Sequence, residues 1–290
     1  MMPDMPMIRL IPLLPLTLLL APFAAPQHAP SAARPASALG HYNPDAKSPA
    51  TARLPGELKE ISGLAVSREG GIFCHDDERG VVYRIDPGKG RILGSFSVGE
   101  RTFRKDFEGI AIADSLMYLV TSDGAIHEFR EAVAGGRADV RVYPTGLGAG
   151  WDVEGLCYDP PTRALLLACK ENPLGKELRH VYSFSLKTHR LDSIPRFVID
   201  IDQLRRDWKI DGFRPSAIER HPSTGTFFVL SSAGPAIVEL SPSGTVVAAA
   251  RLHGTVHPQP EGLTFGADLT MYISNEGKGH GVVVRYPYTR

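Results

Sequence analysis

Cysteine is scarce in this chain: Cys74, Cys157 and Cys169 are the only three in 290 residues. So sparse and odd a set argues against a disulfide-stapled scaffold and for buried thiols that pack as small apolar side chains. Cys157 and Cys169 sit on opposite arms of a hairpin turning near Pro160-Pro161. In that register 157 faces about 165, so the two are not expected to meet. Net charge is absent as well. Lys+Arg and Asp+Glu both total 32, which leaves no basic stripe and argues against nucleic acid as a partner. There is no P-loop, no G-x-G-x-x-G after a strand and no Ser in a G-x-S-x-G elbow. No His/Cys group has zinc spacing. The main apolar run, residues 10–25, is short for a membrane span and is interrupted by Pro12, Pro15 and Pro22.

That run follows Arg9 and leads into a polar Ala/Pro-rich stretch in which Ala36-Ser37-Ala38 has the small-x-small form of a cleavage site. Residues 1–38 are therefore expected to be an export signal and leader, with an uncleaved anchor as the alternative. No Cys follows the apolar run, so nothing suggests a lipoprotein. Residues 39–290 would be the folded domain, exported to the periplasm or cell envelope and touching membrane only through an uncleaved leader. Without Asp4, Arg9 and Arg34 the charged totals become 30 basic and 31 acidic, a net charge of −1. The roughly 250 residues that remain suffice for one large all-β domain.

What the chain does have is a repeated phrase. Its five versions are Glu60-Ile61-Ser62-Gly63-Leu64-Ala65, Asp106-Phe107-Glu108-Gly109-Ile110-Ala111, Asp152-Val153-Glu154-Gly155-Leu156-Cys157, Arg214-Pro215-Ser216-Ala217-Ile218-Glu219 and Gln259-Pro260-Glu261-Gly262-Leu263-Thr264. The third residues are separated by 46, 46, 62 and 45 positions, and a period of about 40–50 residues signals a repeat architecture. Each phrase opens a series of short β-type runs divided by turn residues. Four antiparallel strands per repeat make a propeller blade, and five blades around an axis make an all-β, five-bladed β-propeller. The long step is expected to hold an outer strand over Arg196–Ile201 and a short helix over Asp202–Trp208. The fifth repeat ends after its third strand, so a segment within His41–Leu54 should return to supply the missing outer strand and close the ring.

The first strand of a blade lines the axis, where Gly63, Gly109, Gly155, Ala217 and Gly262 would relieve crowding. Ser62, Glu108, Glu154, Ser216 and Glu261 then occupy equivalent places around one mouth. The second strands end at the same mouth with His75-Asp76-Asp77-Glu78, Ser122-Asp123, Cys169-Lys170-Glu171, Ser231-Ser232 and Ser274-Asn275-Glu276. Three converging carboxylates must take up protons, spread into water or share a cation. Oxygen-only donors suit Ca²⁺, so Glu108, Glu154 and Glu261 are the candidate metal ligands. Ser62, Asp76, Lys170, Ser216 and Asn275 are possible ligand contacts at that mouth. The competing reading has the Glu side chains accept backbone N–H bonds from neighbouring blades, with Asp106 and Asp152 capping turns. Lys170 could instead neutralise a carboxylate. His75 beside Asp76 is a weak base candidate, because adjacent strand residues face opposite ways.

These phrases, with Asp77-Glu78-Arg79-Gly80, Val82-Tyr83, His221-Pro222 and Ile273-Ser274-Asn275-Glu276-Gly277, resemble the SdiA-regulated family of bacterial exported propellers, which is distantly similar to NHL-repeat proteins. The match runs from about Leu54 to Tyr288. It implies a five-bladed propeller and a Ca²⁺ site, but no established reaction. The expected function is an exported calcium-binding module at the cell envelope, a monomer whose partner is a small molecule or an envelope protein. The rival is a Ca²⁺-dependent hydrolase of phosphoesters or lactones, with His75, Asp76 or Lys170 assisting the metal. The sequence leaves open whether the chain is an enzyme.

Overall fold

The computed structural model describes residues 37–100 and 104–290. The expected leader lies outside the described residues, apart from Ser37 and Ala38. Among the described residues no helix is long and apolar enough to cross a membrane.

The chain forms a five-bladed β-propeller. The first blade runs Ile61–Val66, Ile72–Asp76, Val81–Asp86 and Arg91–Val98 from axis to rim, each antiparallel to the last. The second uses Phe107–Ala113, Leu116–Thr121, Ile126–Phe129 and the short outer strand Arg141–Tyr143. The third uses Val153–Asp159, Ala164–Cys169 and Leu178–Ser185, and its outer position is shared by Arg190–Leu191 and Phe197–Asp200. The fourth consists of Arg214–Arg220, Phe227–Ala233, Ala236–Leu240 and Val246–Arg251.

The fifth blade closes as expected. Pro260–Phe265, Met271–Asn275 and Val282–Tyr286 come from the C-terminal end, and Ala50–Arg53 adds the outer strand, with Ala50 opposite Arg285 and Arg53 opposite Val282. Joining the two ends of the chain in one sheet removes the open edge that a three-stranded last blade would carry.

The expected helix in the long step spans Ile201–Trp208. Asp200 caps it by accepting the Gln203 N–H at 3.0 Å, and Lys209 ends it in a left-handed conformation at φ 59°. One strand has no counterpart in the sequence pattern. Arg137–Ala138 leaves the second blade and pairs in parallel with Arg91–Val98 of the first. The core is five apolar wedges, one between each pair of neighbouring blades. All three cysteines are buried free thiols, and Cys157 stands opposite Leu166.

Candidate functional site

Each innermost strand carries a register irregularity at the phrase. Pairing skips Glu108 between Phe107 and Gly109, Glu154 between Val153 and Gly155, Ser216 between Pro215 and Ala217, and Glu261 between Pro260 and Gly262. In the first blade it skips Ser62 and Gly63. A bulge leaves a residue outside the ladder and re-aims its side chain. Bulges at equivalent places thus turn Glu108, Glu154, Ser216 and Glu261 toward the axis.

The residue after the bulge sits against the next blade. A Cβ on Gly109 would stand 2.8 Å from the Leu156 nitrogen, and one on Gly155 would stand 2.9 Å from the Ile218 nitrogen. Neither approach leaves room for a side chain, which explains the small residue that follows each third position.

Serines stitch the ring. The Ser62 hydroxyl donates to the Glu108 carbonyl at 2.9 Å, Ser216 to the Pro260 carbonyl at 2.7 Å, and Ser274 to the Ser62 carbonyl at 2.9 Å. The Glu side chains do not take this role: among the described residues, none of the three accepts a backbone N–H from a neighbouring blade. The phrase therefore divides its third positions by chemistry, with hydroxyls bonding blade to blade and carboxylates facing inward.

Glu108, Glu154 and Glu261 line one small axial cavity of about 10 Å³ with Ser216 and small residues behind the bulges, and Leu64, Ile110, Leu156, Ile218 and Leu263 form the rest of its wall. Glu154 and Glu261 are buried and Glu108 is half-buried. Burial holds Glu108 above the ordinary carboxylate range, and the charges of Glu154, Asp106 and Glu261 add to the effect. Burial and then Glu154 push Glu261 up to about 8.

Lys170 is the one cation that reaches in among the described residues, with Nζ 2.6 Å from Glu154 Oε1 and 3.9 Å from Asp152 Oδ2. Burial would lower the Lys170 ammonium, but Glu154 outweighs it and holds it above its usual range. Burial also raises Glu154. At a separation of 2.6 Å the proton belongs to the lysine, so the negative charge rests on Glu154 and the protons on Glu108 and Glu261.

A further group of carboxylates, from the first and fifth blades, lies within electrostatic reach of this one. Asp77 is raised to about 6 by burial and by Glu60, Asp76, Glu78 and Asp106. Glu276 is raised to about 7 by burial and by Asp77, Glu60 and Glu154. Arg104 on Glu78 and Arg214 on Glu171, each at 3.1 Å, offset part of this charge at the rim.

The other expected contacts turn away from the axis. Asp76 binds Arg79, which donates from Nη2 at 2.6 Å and from its backbone N–H at 2.9 Å. Asn275 Oδ1 meets His257 Nδ1 at 3.2 Å, and its buried Nδ2 has no partner among the described residues. His75 is fully buried: its Nε2 accepts the Gly63 N–H at 3.2 Å and its Nδ1–H donates to the Asp76 carbonyl at 3.0 Å. Burial lowers it to about 4, so it is a neutral brace for the first bulge. Asp106 and Asp152 act through their backbone carbonyls, which accept Ser122 N–H at 3.0 Å and Lys170 N–H at 2.8 Å.

The polar side chains that face the cavity present oxygens, which fits a hard cation in chemistry once the protons on Glu108 and Glu261 are displaced. Among the described residues, no three His, Cys, Asp or Glu side chains already stand together as a metal-holding group. Glu154 is held by Lys170 at 2.6 Å, and a metal would require it to turn.

The family described as SdiA-regulated matches residues 51–278. No curated protein matches the chain in sequence. Among solved structures, glutaminyl cyclase from Myxococcus xanthus is similar at 15% identity and a TM-score of 0.57, over 81% of this chain and 93% of that one. The PQQ-bound aldose sugar dehydrogenase from Streptomyces coelicolor is similar at 13% identity and a TM-score of 0.51, over 81% and 96%. A luciferin-regenerating enzyme gives 10% identity and a TM-score of 0.51, over 83% and 95%. At these identities the likeness is one of fold.

Proposed function

The chain belongs to the SdiA-regulated family, and from that premise we propose that it is an exported binding module whose axial mouth takes up a calcium ion. One observation carries the reading: Glu108, Glu154 and Glu261 face a common cavity, burial and then neighbouring carboxylates hold them above the ordinary carboxylate range, and Lys170 pairs with Glu154 alone of the three. A divalent cation would relieve that repulsion without protons. The cavity has room for about one ion or one water, so a partner molecule would contact the site from outside, near Asp77 and Glu276.

The hydrolase reading has less support. His75 is buried with both ring nitrogens engaged, and Lys170 is tied to Glu154. Neither is placed to accept or deliver a proton at a substrate. The partner that suits a module of this kind is a small molecule or an envelope protein bearing a group that a calcium ion attracts, such as a carboxylate or a phosphate.

Calcium titration of the chelator-stripped protein by calorimetry tests the proposal. Saturable binding of one ion, abolished in Glu108→Gln and in Glu261→Gln while both variants remain folded, is the expected result. Heats no larger than dilution in the unsubstituted protein would sink it.

A further inference from the structure

Glu239 lies on the third strand of the fourth blade and its side chain is completely buried. Among the described residues no cation meets it. Four neutral donors do. Its Oε2 accepts from the Ser37 hydroxyl at 2.6 Å and the Leu39 N–H at 2.9 Å. Its Oε1 accepts from the Ala38 N–H at 2.9 Å and the Thr226 hydroxyl at 2.7 Å. Three of those donors belong to a segment about 200 residues away in sequence. A buried carboxylate met only by neutral dipoles is held less strongly than one in contact with a cation. The sequence independently places a small-x-small cleavage pattern at Ala36-Ser37-Ala38, immediately before Leu39.

We propose that the Ala38–Leu39 bond is where the leader is removed, and that Glu239 is the receptor for the α-ammonium that cleavage creates on Leu39. Water adds across the amide, catalysed by a leader peptidase of the envelope. The C–N bond breaks, Ala38 departs with the leader as a carboxylate, and the Leu39 nitrogen takes up a proton to become an ammonium at neutral pH. That nitrogen already stands 2.9 Å from Glu239 Oε2.

Cleavage trades two neutral donors for a charge: the Ser37 hydroxyl and the Ala38 N–H leave, the Thr226 hydroxyl stays, and the Leu39 nitrogen becomes a cation at hydrogen-bond distance from the carboxylate. The residues beyond the cut are anchored separately. The Tyr42 hydroxyl donates to the Leu269 carbonyl at 2.7 Å and accepts from His221 Nε2 at 3.0 Å, and His41 stacks on Tyr288 at 4.7 Å. Ala38 is fully buried, so cutting must precede closure of the ring, while the chain is still extended.

Two measurements test this. The full-length chain is expressed with export in a bacterial host, and the protein recovered from the envelope is examined by intact mass and N-terminal sequencing. A chain beginning at Leu39 is expected. A chain beginning anywhere upstream, or left uncut, would overturn the assignment. The second measurement follows the melting temperature of the mature protein from pH 7 to 10, with its α-amine free and after selective acetylation. An ammonium raised by Glu239 contributes stability that is complete below its ordinary value of about 8 and is lost as pH rises through the folded value.

The titratable groups packed around the pair are Tyr42 and His221, with His41, Tyr288 and Asp268 behind them. Burial holds Tyr42 above its ordinary range and His221 below it, and all five are common to both samples. The free form should therefore lose several degrees relative to the acetylated form across that window, and Glu239→Gln should erase the difference. Parallel curves for the free and acetylated proteins would refute the receptor role even if Leu39 proved to be the first residue.

Discussion

Lys170 and Glu154 settle how charge is shared at the axis. Their contact at 2.6 Å keeps one carboxylate ionised and leaves Glu108 and Glu261 to hold protons. On the proposed function, Lys170 competes with the incoming ion. Lys170→Met should raise calcium affinity about tenfold, the size expected when one like charge leaves a partly buried cation site. Unchanged affinity by calorimetry would show that the lysine and the ion do not share the mouth.

The same residues give a pH dependence whose sign comes from the raised values. A carboxyl whose folded pKa exceeds its unfolded value contributes stability that is complete below the unfolded value and lost as pH rises through the folded one. For Glu261 that window runs from about 4.5 to about 8. The melting temperature without calcium should therefore decline from pH 5 to 8, with a shallower decline in Glu261→Gln. Saturating calcium should flatten the wild-type curve, because bound metal replaces the protons. A melting temperature that rises over this interval without calcium would contradict the charge assignment.

At the scale of elements, bulge and neighbouring blade act together. The bulge turns a side chain to the axis, and the small residue behind it lets the next strand approach. Gly155→Val would place branched carbons where a Cβ alone already lies 2.9 Å from the Ile218 nitrogen and 3.0 Å from the Ala168 Cβ. Overpacking of this kind costs about 3 kcal/mol, which a denaturant midpoint would report. A midpoint within error of the unsubstituted protein would mean that the blades are not held at this spacing. The closing strand is a second such element. Ala52 is buried opposite Val283, and Ala52→Asp would put an unpaired carboxylate at that buried position at a cost of about 3 kcal/mol, read from the denaturant midpoint.

The period of the phrase is legible in the sequence, because every blade must repeat its axial crowding. So is the closing strand, because a fifth blade lacking its edge requires one. The serine stitching is half visible: Ser62 and Ser216 stand out, yet only tertiary contact shows their hydroxyls reaching the next blade. The bulges are hidden, since a one-residue slip in pairing leaves no mark on residue type. The transfer of Arg137–Ala138 to the first blade is hidden for a related reason. A pair of residues at an exposed edge has no apolar pattern to declare which sheet it joins. Glu239 is inconspicuous because it resembles any strand carboxylate until its partners are brought back from the start of the chain.

For the whole molecule, we propose that the bulges of three blades build one cation site, while Ser62, Ser216 and Ser274 join blade to blade. The family relationship and the likeness to propeller enzymes leave that claim to be tested on this protein. The most direct test is a crystal structure grown in calcium with anomalous data. A calcium peak is expected on the axis, bound by oxygens of Glu108, Glu154 and Glu261, with Lys170 withdrawn from Glu154. An axis without a peak, and with Lys170 still on Glu154, would contradict it.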